Sequence, residues 1–202
     1  GSTPPERLVG DVFDRSDGNP FFAEELLAAS RPGSGSPRLP PTLKEILLAH
    51  LATVEGPAAT VLGAAAVAGR RVSHALLFPF VDLPEARVHD GLRAAIGGNL
   101  LVVESDADTE RYAFRHALVQ EAVYEELLPG ERRALHRAIA EALAAGPAGP
   151  RATEAGHWAE LAHHWAAARE DRRAFEASVR AGEAAIRSFA FDAGLHDLER
   201  AL

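Results

Sequence analysis

Residues 84–127 read PEARVHDGLRAAIGGNLLVVESDADTERYAFRHALVQEAVYEEL, and this stretch decides the fold. After Pro84, the residues Val88, Leu92 and Ile96 recur at steps of four, the stripe of an amphipathic helix, with a proline suited to its first turn. Gly97, Gly98 and Asn99 end that helix. Residues 100–104 form an apolar run closed by a charge. Residues 111–115 alternate, with Tyr112 and Phe114 on one face. Residues 105–110 between them read as an acidic hairpin loop. Helix resumes with Leu118, Val119, Ala122, Val123 and Leu127 in one stripe.

Upstream, Ser73 starts a short helix through Leu76, Leu77 and Phe80. Gly56 and Pro57 precede a small-residue helix over 58–68, with Val61, Leu62, Ala65 and Ala66 inward and suited to close packing. Thr42 caps an earlier helix carrying Leu43, Ile46, Leu47, His50 and Leu51. Helices, a two-stranded hairpin and a further helix give the order of a winged helix. Residues 31–41 hold Pro32, Gly33, Ser34, Gly35, Ser36, Pro37, Pro40 and Pro41, the composition of a linker, and a boundary is placed there.

Before the linker, residues 3–30 read as two short helices around a turn. Leu8, Val12 and Phe13 share a face of the first. Asp17 and Gly18 break it, Asn19 is an N-cap and Pro20 fits the first helical position. Glu24 and Glu25 then lie near the positive end of the second. Downstream, Leu135, Ala138, Ile139 and Ala142 form a stripe, and residues 146–150 break the chain again. Helices over 153–169 and 171–189, with a third starting near Phe191, resemble the antiparallel pairs of helical-repeat solenoids.

The composition agrees with this pattern. Of 202 residues 47% are apolar, enough for one medium domain or two small ones, and the dominance of leucine and alanine over aromatics favours helix. The absence of cysteine excludes disulfides and cysteine-ligated metals. No apolar run reaches the roughly 20 residues that span a bilayer, and no leader pattern opens the chain, so a cytoplasmic protein is expected. Gly1-Ser2 reads as the scar of a cleaved tag. With no methionine present, the sequence reads as a piece of a longer protein. A net charge of -8 opposes general nucleic-acid binding, which rests on neutralising phosphates.

The run Arg15-Ser16-Asp17-Gly18-Asn19-Pro20-Phe21-Phe22-Ala23-Glu24-Glu25-Leu26 resembles the Gly-Asn-Pro-Phe motif of signal-transduction ATPases with numerous domains, the group that includes the large ATP-binding regulators of the LuxR family. The run Phe114-Arg115-His116-Ala117-Leu118-Val119-Gln120-Glu121-Ala122-Val123-Tyr124 resembles the same family's winged-helix signature. Leu161-Ala162-His163-His164-Trp165 and Ala181-Gly182-Glu183-Ala184-Ala185 resemble the opening of its helical-repeat sensor. The three matches fall in family order. The resemblance implies a helical lid of an ATPase module over residues 3–36, a winged helix over 40–130, and a linking helix with the start of tetratricopeptide-like repeats over 131–202. It implies a nucleotide-facing role for Gly18, Asn19 and Pro20, with Pro20 against the adenine. It also implies that His116 approaches the β-phosphate of ADP and helps to hold a closed, inactive state.

Other chemistry finds little support in the sequence. No Gly-x-x-x-x-Gly-Lys-Ser/Thr run offers a phosphate cradle, and no apolar strand ending in acidic residues offers the magnesium site of an ATPase. The chain by itself is therefore expected not to hydrolyse ATP. No Gly-x-Ser-x-Gly elbow and no thiol point to nucleophilic catalysis. His157 and His164 lie two helical turns apart, about 10 Å, too far for one ion without a further ligand, even with His163 and Glu160 nearby. A bland alternative is a packed face built on Trp158 and Trp165. The groove helix of a DNA-binding winged helix would be residues 84–96, in which Arg87 and Arg93 are offset by Glu85 and Asp90, and Asp106, Asp108 and Glu110 in the wing would repel phosphates. Arg132, Arg133, His136 and Arg137 read as a solvated basic face, with docking to a nucleotide-binding core as the alternative.

The sequence thus leads to a mainly α protein: helical lid, winged helix with one β-hairpin, then helical repeats. The expected function is coupling of nucleotide state to a repeat sensor in a transcription regulator. No cofactor is expected in this chain, with ATP or ADP in the parent. The expected partners are the parent's own nucleotide-binding core and effector domain and a small-molecule or protein inducer, with no direct DNA binding and no membrane. Two alternatives remain: the same module in a nucleotide cyclase- or kinase-linked ATPase, and a DNA-binding winged helix.

Overall fold

The computed structural model describes residues 6–16, 18–20, 22–23, 27, 51, 54–106, 109–146 and 153–201. Its elements in chain order are α1 (Glu6–Ser16), α2 (Pro57–Ala68), β1 (Arg71–Ser73), α3 (His74–Phe80), α4 (Glu85–Gly97), β2 (Leu101–Asp106), β3 (Thr109–Phe114), α5 (Ala117–Glu126), α6 (Pro129–Ala145), α7 (Glu154–Ala167) and α8 (Asp171–Ala201). The chain is mainly helical with one small antiparallel sheet, and it divides into two units, Gly1–Leu128 and Pro129–Leu202. The expected linker and the helix capped by Thr42 lie outside the described residues, apart from Leu51. Among the described residues no helix is long and apolar enough to cross a membrane.

The core of the first unit is α2. Pro57 starts it, where a missing N–H costs nothing. Ala58, Val61, Leu62, Ala64, Ala65, Ala66 and Val67 are all buried, so the helix is enclosed on nearly every side. Small side chains let α4 approach closely. A Cβ on Gly91 would stand 2.6 Å from the Pro57 carbonyl oxygen and 2.9 Å from Val61 Cγ2. Val88, Leu92 and Ala95 complete the inward face of α4, so the period-four stripe holds except that Ile96 is only half-buried. Asn99 closes the helix in the left-handed region (φ 57). Leu100 N–H donates to the Ala95 carbonyl at 3.0 Å and Asn99 N–H to that of Ile96 at 3.0 Å, which satisfies orphan carbonyls of the last turn. On α5, Leu118, Val119, Ala122 and Val123 face the core. Gln120 Nε2 donates 2.7 Å to the Ala66 carbonyl in the last turn of α2.

The sheet differs from expectation in two ways. It has three strands in the order β1-β3-β2, not two. β1 pairs antiparallel with β3, Val72 opposite Tyr112, and places β3 at the centre with Tyr112, Ala113 and Phe114 all buried. Three residues, Arg71, Val72 and Ser73, are too short for a period-two pattern to appear. Ser73 shows only its other role, accepting the Leu76 N–H at the start of α3 at 3.1 Å. The hairpin loop is also shorter than expected. Ladder pairing continues through Ser105 opposite Glu110 and Asp106 opposite Thr109, so most of the acidic stretch is strand.

In the second unit, α7 packs on both α6 and α8. Ala140, Leu161, Ala162, Trp165, Ala174 and Ala177 form the core, with Leu143 and Trp158 against it. Thr153 caps α7, accepting from Gly156 N–H at 3.0 Å. Two expectations are corrected. The helix expected to begin near Phe191 is not separate: α8 is continuous from Asp171–Ala201, because no Gly, Pro or capping pattern interrupts Ser188-Phe189-Ala190-Phe191. The buried face of α6 is His136, Ile139 and Ala140, with Leu135, Ala138 and Ala142 only half-buried, so His136 does not belong to a solvated basic face. In α1, Val12 is buried but Phe13 is 68% exposed.

The turn after α7 places Arg169 at φ 64, with Glu170 N–H bonded to the Trp165 carbonyl at 2.9 Å. A left-handed L-residue costs about 1–2 kcal/mol, and glycine removes that at an entropic cost of about 0.5–1 kcal/mol. Arg169→Gly is therefore expected to stabilise this unit by up to about 1 kcal/mol, read as a raised thermal midpoint. A lowered midpoint would contradict it.

Candidate functional site

The turn after α1 follows from its residue types. Ser16 is buried and donates to the Phe13 carbonyl at 3.2 Å. Gly18 has φ 75, open to glycine at no steric cost, and reverses the chain. Asn19 N–H then donates to the Ser16 carbonyl at 2.9 Å, and the Asn19 carbonyl accepts from Ala23 N–H at 3.0 Å. That second bond is the first of a new helical turn, which makes Asn19 its cap residue. Pro20, Phe22, Ala23 and Leu27 are helical. Gly18 and Pro20 are exposed and Asn19 half-buried.

His116 lies at the start of α5, in extended conformation at the N-cap position, and its carbonyl accepts from Val119 N–H at 3.1 Å. It is half-buried. The residues before it are pinned: Phe114 N–H donates to the Arg70 carbonyl and Arg115 N–H to that of Leu100, each at 3.0 Å. The ring of Phe22 meets the His116 imidazole edge to face, with centroids 5.7 Å apart and planes at 89°. Edge-to-face packing is the favoured geometry for such rings. The helical turn that follows residues 18–20 thus meets the histidine nearly a hundred residues later through a ring contact. The Arg70 guanidinium reaches toward the Asp14 carbonyl at 3.5 Å, and α1 packs on α5, so three chain segments converge here.

Sequence reasoning missed three other clusters. In the first unit His74 Nδ1 and the Tyr112 hydroxyl are hydrogen-bonded at 2.9 Å, with Phe78 and His89 stacked beside them. Burial, and then the Glu110 charge, raise the Tyr112 phenol above its usual range. In the second unit His136 and His164, 3% and 2% exposed, share a hydrogen bond between their Nδ1 atoms at 2.9 Å. One ring must carry the proton and the other accept it. Burial, then the neighbouring His163, lowers His136 to about 4. Burial, then His136 and His163, lowers His164 to about 3. Third, each tryptophan carries an arginine on its face: Arg173 over Trp165 and Arg180 over Trp158, each 4.6 Å from the ring centroid. The matched seven-residue spacing of the two tryptophans and the two arginines was the available signal for the third cluster. Nothing in the sequence marks the histidine pair.

Among the described residues no three His, Asp or Glu side chains converge in a metal-binding arrangement; His157 instead packs against Trp158, with centroids 5.7 Å apart. On α4, Asp90 pairs with Arg93 at 3.0 Å and Glu85 lies 3.7 Å from His89. Compared with known proteins, the chain matches no family model and no curated protein.

Proposed function

We propose that this chain is the regulatory module of a nucleotide-switched transcription regulator, coupling the ATP or ADP state of its parent to a helical-repeat sensor. The observation that carries this reading is the ring contact between Phe22 and His116, which brings the helical turn following Gly18-Asn19-Pro20 onto the histidine. A proline ring offers a flat apolar surface to a base. An imidazole N–H at the start of a helix can donate to a phosphate oxygen where the amide dipoles also favour an anion. In this reading α2 to α5 with the sheet act as a winged helix used as a lever between domains. The carboxylates paired along α4 disfavour its use on DNA. Helices α6 to α8 begin a tetratricopeptide-like array. The exposed Phe175, Val179 and Ile186 on α8 form the apolar stripe that a further stacked pair would cover. Signal binding to the repeats would release the closed contacts and free a distant effector.

The test is His116→Ala in the full-length parent. Loss of a hydrogen bond to a charged phosphate is worth about 1.5–3 kcal/mol, so ADP release is expected to speed by roughly tenfold or more, with raised basal output. Unchanged ADP release and output would remove the assigned role.

A further inference from the structure

Between α7 and α8 lies a solvent-open cleft of about 200 Å³. Its two ends are the cation–aromatic stacks, and its floor is Leu161 and Ala177, both from the unit's core. The antiparallel helices set this layout. Trp158 faces Arg180 and Trp165 faces Arg173, so two guanidiniums stand seven residues apart on one helix, about 10 Å along its axis. Each guanidinium carbon lies over an indole, 4.6 Å from its centroid. The indole holds the cation in place by its π-face, and the guanidinium N–H groups suit a carboxylate. Both arginines are exposed, and among the described residues neither is ion-paired. Among the described residues the carboxylate on the rim is Glu176, which Arg172 holds at 3.0 Å. The cleft therefore presents two positive ends and an apolar middle, on a chain whose net charge is -8.

We propose that this cleft binds a small organic dianion, a dicarboxylate whose two acid groups are separated by an apolar chain. Each carboxylate takes a bidentate pair of N–H bonds from one stacked guanidinium, and the methylenes lie on Leu161 and Ala177. The volume is below that of pockets for drug-sized ligands, in keeping with a linear metabolite-sized acid. As the signal of the sensor, this ligand rests on the function proposed above; as a binding site it does not.

The test uses the intrinsic fluorescence of this chain, because its only two tryptophans, Trp158 and Trp165, both border the cleft. Succinate, adipate, azelate and sebacate are titrated beside butyrate, inorganic phosphate and the dimethyl ester of azelate. A saturable change with a length optimum among the dicarboxylates is expected, weakened by added salt. Arg173→Gln and Arg180→Gln are each expected to weaken binding about tenfold with unchanged far-ultraviolet circular dichroism, and Glu176→Gln to tighten it several-fold. The site is overturned if no dicarboxylate gives a saturable change at millimolar concentrations, or if the ester or butyrate binds as well as the diacid. The wild-type series decides this even where a variant folds poorly. Dicarboxylate binding here that leaves ADP release from the parent unchanged would sink the sensor reading and leave the site standing.

Discussion

Gly91→Ala is expected to lower the melting temperature of the first unit by roughly 10 °C. Two effects oppose each other. Alanine gains about 1 kcal/mol over glycine in a helix interior. Its Cβ, however, would sit 2.6 Å from the carbonyl oxygen of Pro57 and 2.8 Å from its carbonyl carbon, and both are backbone atoms that cannot turn away. Overpacking a tight core costs about 1–3 kcal/mol, and more when backbone must move, so the steric term wins by about 2 kcal/mol. Gly97→Ala is the control. It lies on the same helix, with nothing within 4 Å of its added Cβ, and should raise stability slightly. Thermal unfolding followed by circular dichroism separates the two. Equal midpoints for both variants would mean that α2 and α4 do not meet as described.

Acidification is expected to destabilise the second unit, with the loss beginning well above the carboxylate range. His136 and His164 bind protons more weakly in the folded unit, at about 4 and about 3, than in the unfolded chain at about 6.5. The unfolded chain therefore takes up more protons as the pH falls below about 6.5. Stability from the neutral pair is present above that value and is lost progressively as the pH falls to about 4 for His136 and about 3 for His164. From pH 7 to pH 5 the loss is on the order of 3 kcal/mol for the two groups together. Two charged neighbours bear on the pair. His163 adds like charge from α7, with its ring 5.2 Å from His164 and 5.7 Å from His136. On α6 the Arg137 guanidinium already neutralises Glu170 at 2.6 Å. Denaturation at a series of pH values, read by tryptophan emission, measures the slope. His136→Leu combined with His164→Leu should flatten it, since both rings that share the buried hydrogen bond are removed together. A slope that survives in the double variant would place its origin elsewhere.

The sequence made α2, α4 and α5 legible because their apolar residues recur at helical spacing and their ends carry proline, glycine and asparagine. β1 escaped because a three-residue strand has no period, and its pairing with β3 depends on residues forty positions away. Gly91 costs stability in a helix interior, and the close approach of Pro57, which no local pattern marks, gives it a purpose. His136 stands between Arg133 and Arg137, so local composition places it in water. Its burial is decided by α7, whose His164 completes the hydrogen bond. At the candidate site the local chemistry of Gly18, Asn19 and Pro20 was legible as a turn and cap, whereas the meeting of Phe22 with His116 is tertiary.

The sheet order also sets the tempo of folding. β3 is completed only when Val72 finds Tyr112, some forty residues along the chain, and that loop must close before its contacts repay the lost entropy. In the second unit α7 meets its immediate neighbours α6 and α8, contacts of short range in sequence. Low contact order folds fast and distant strand pairing folds slowly. The helical unit is thus expected to fold faster than the unit whose sheet must recruit its third strand from forty residues away.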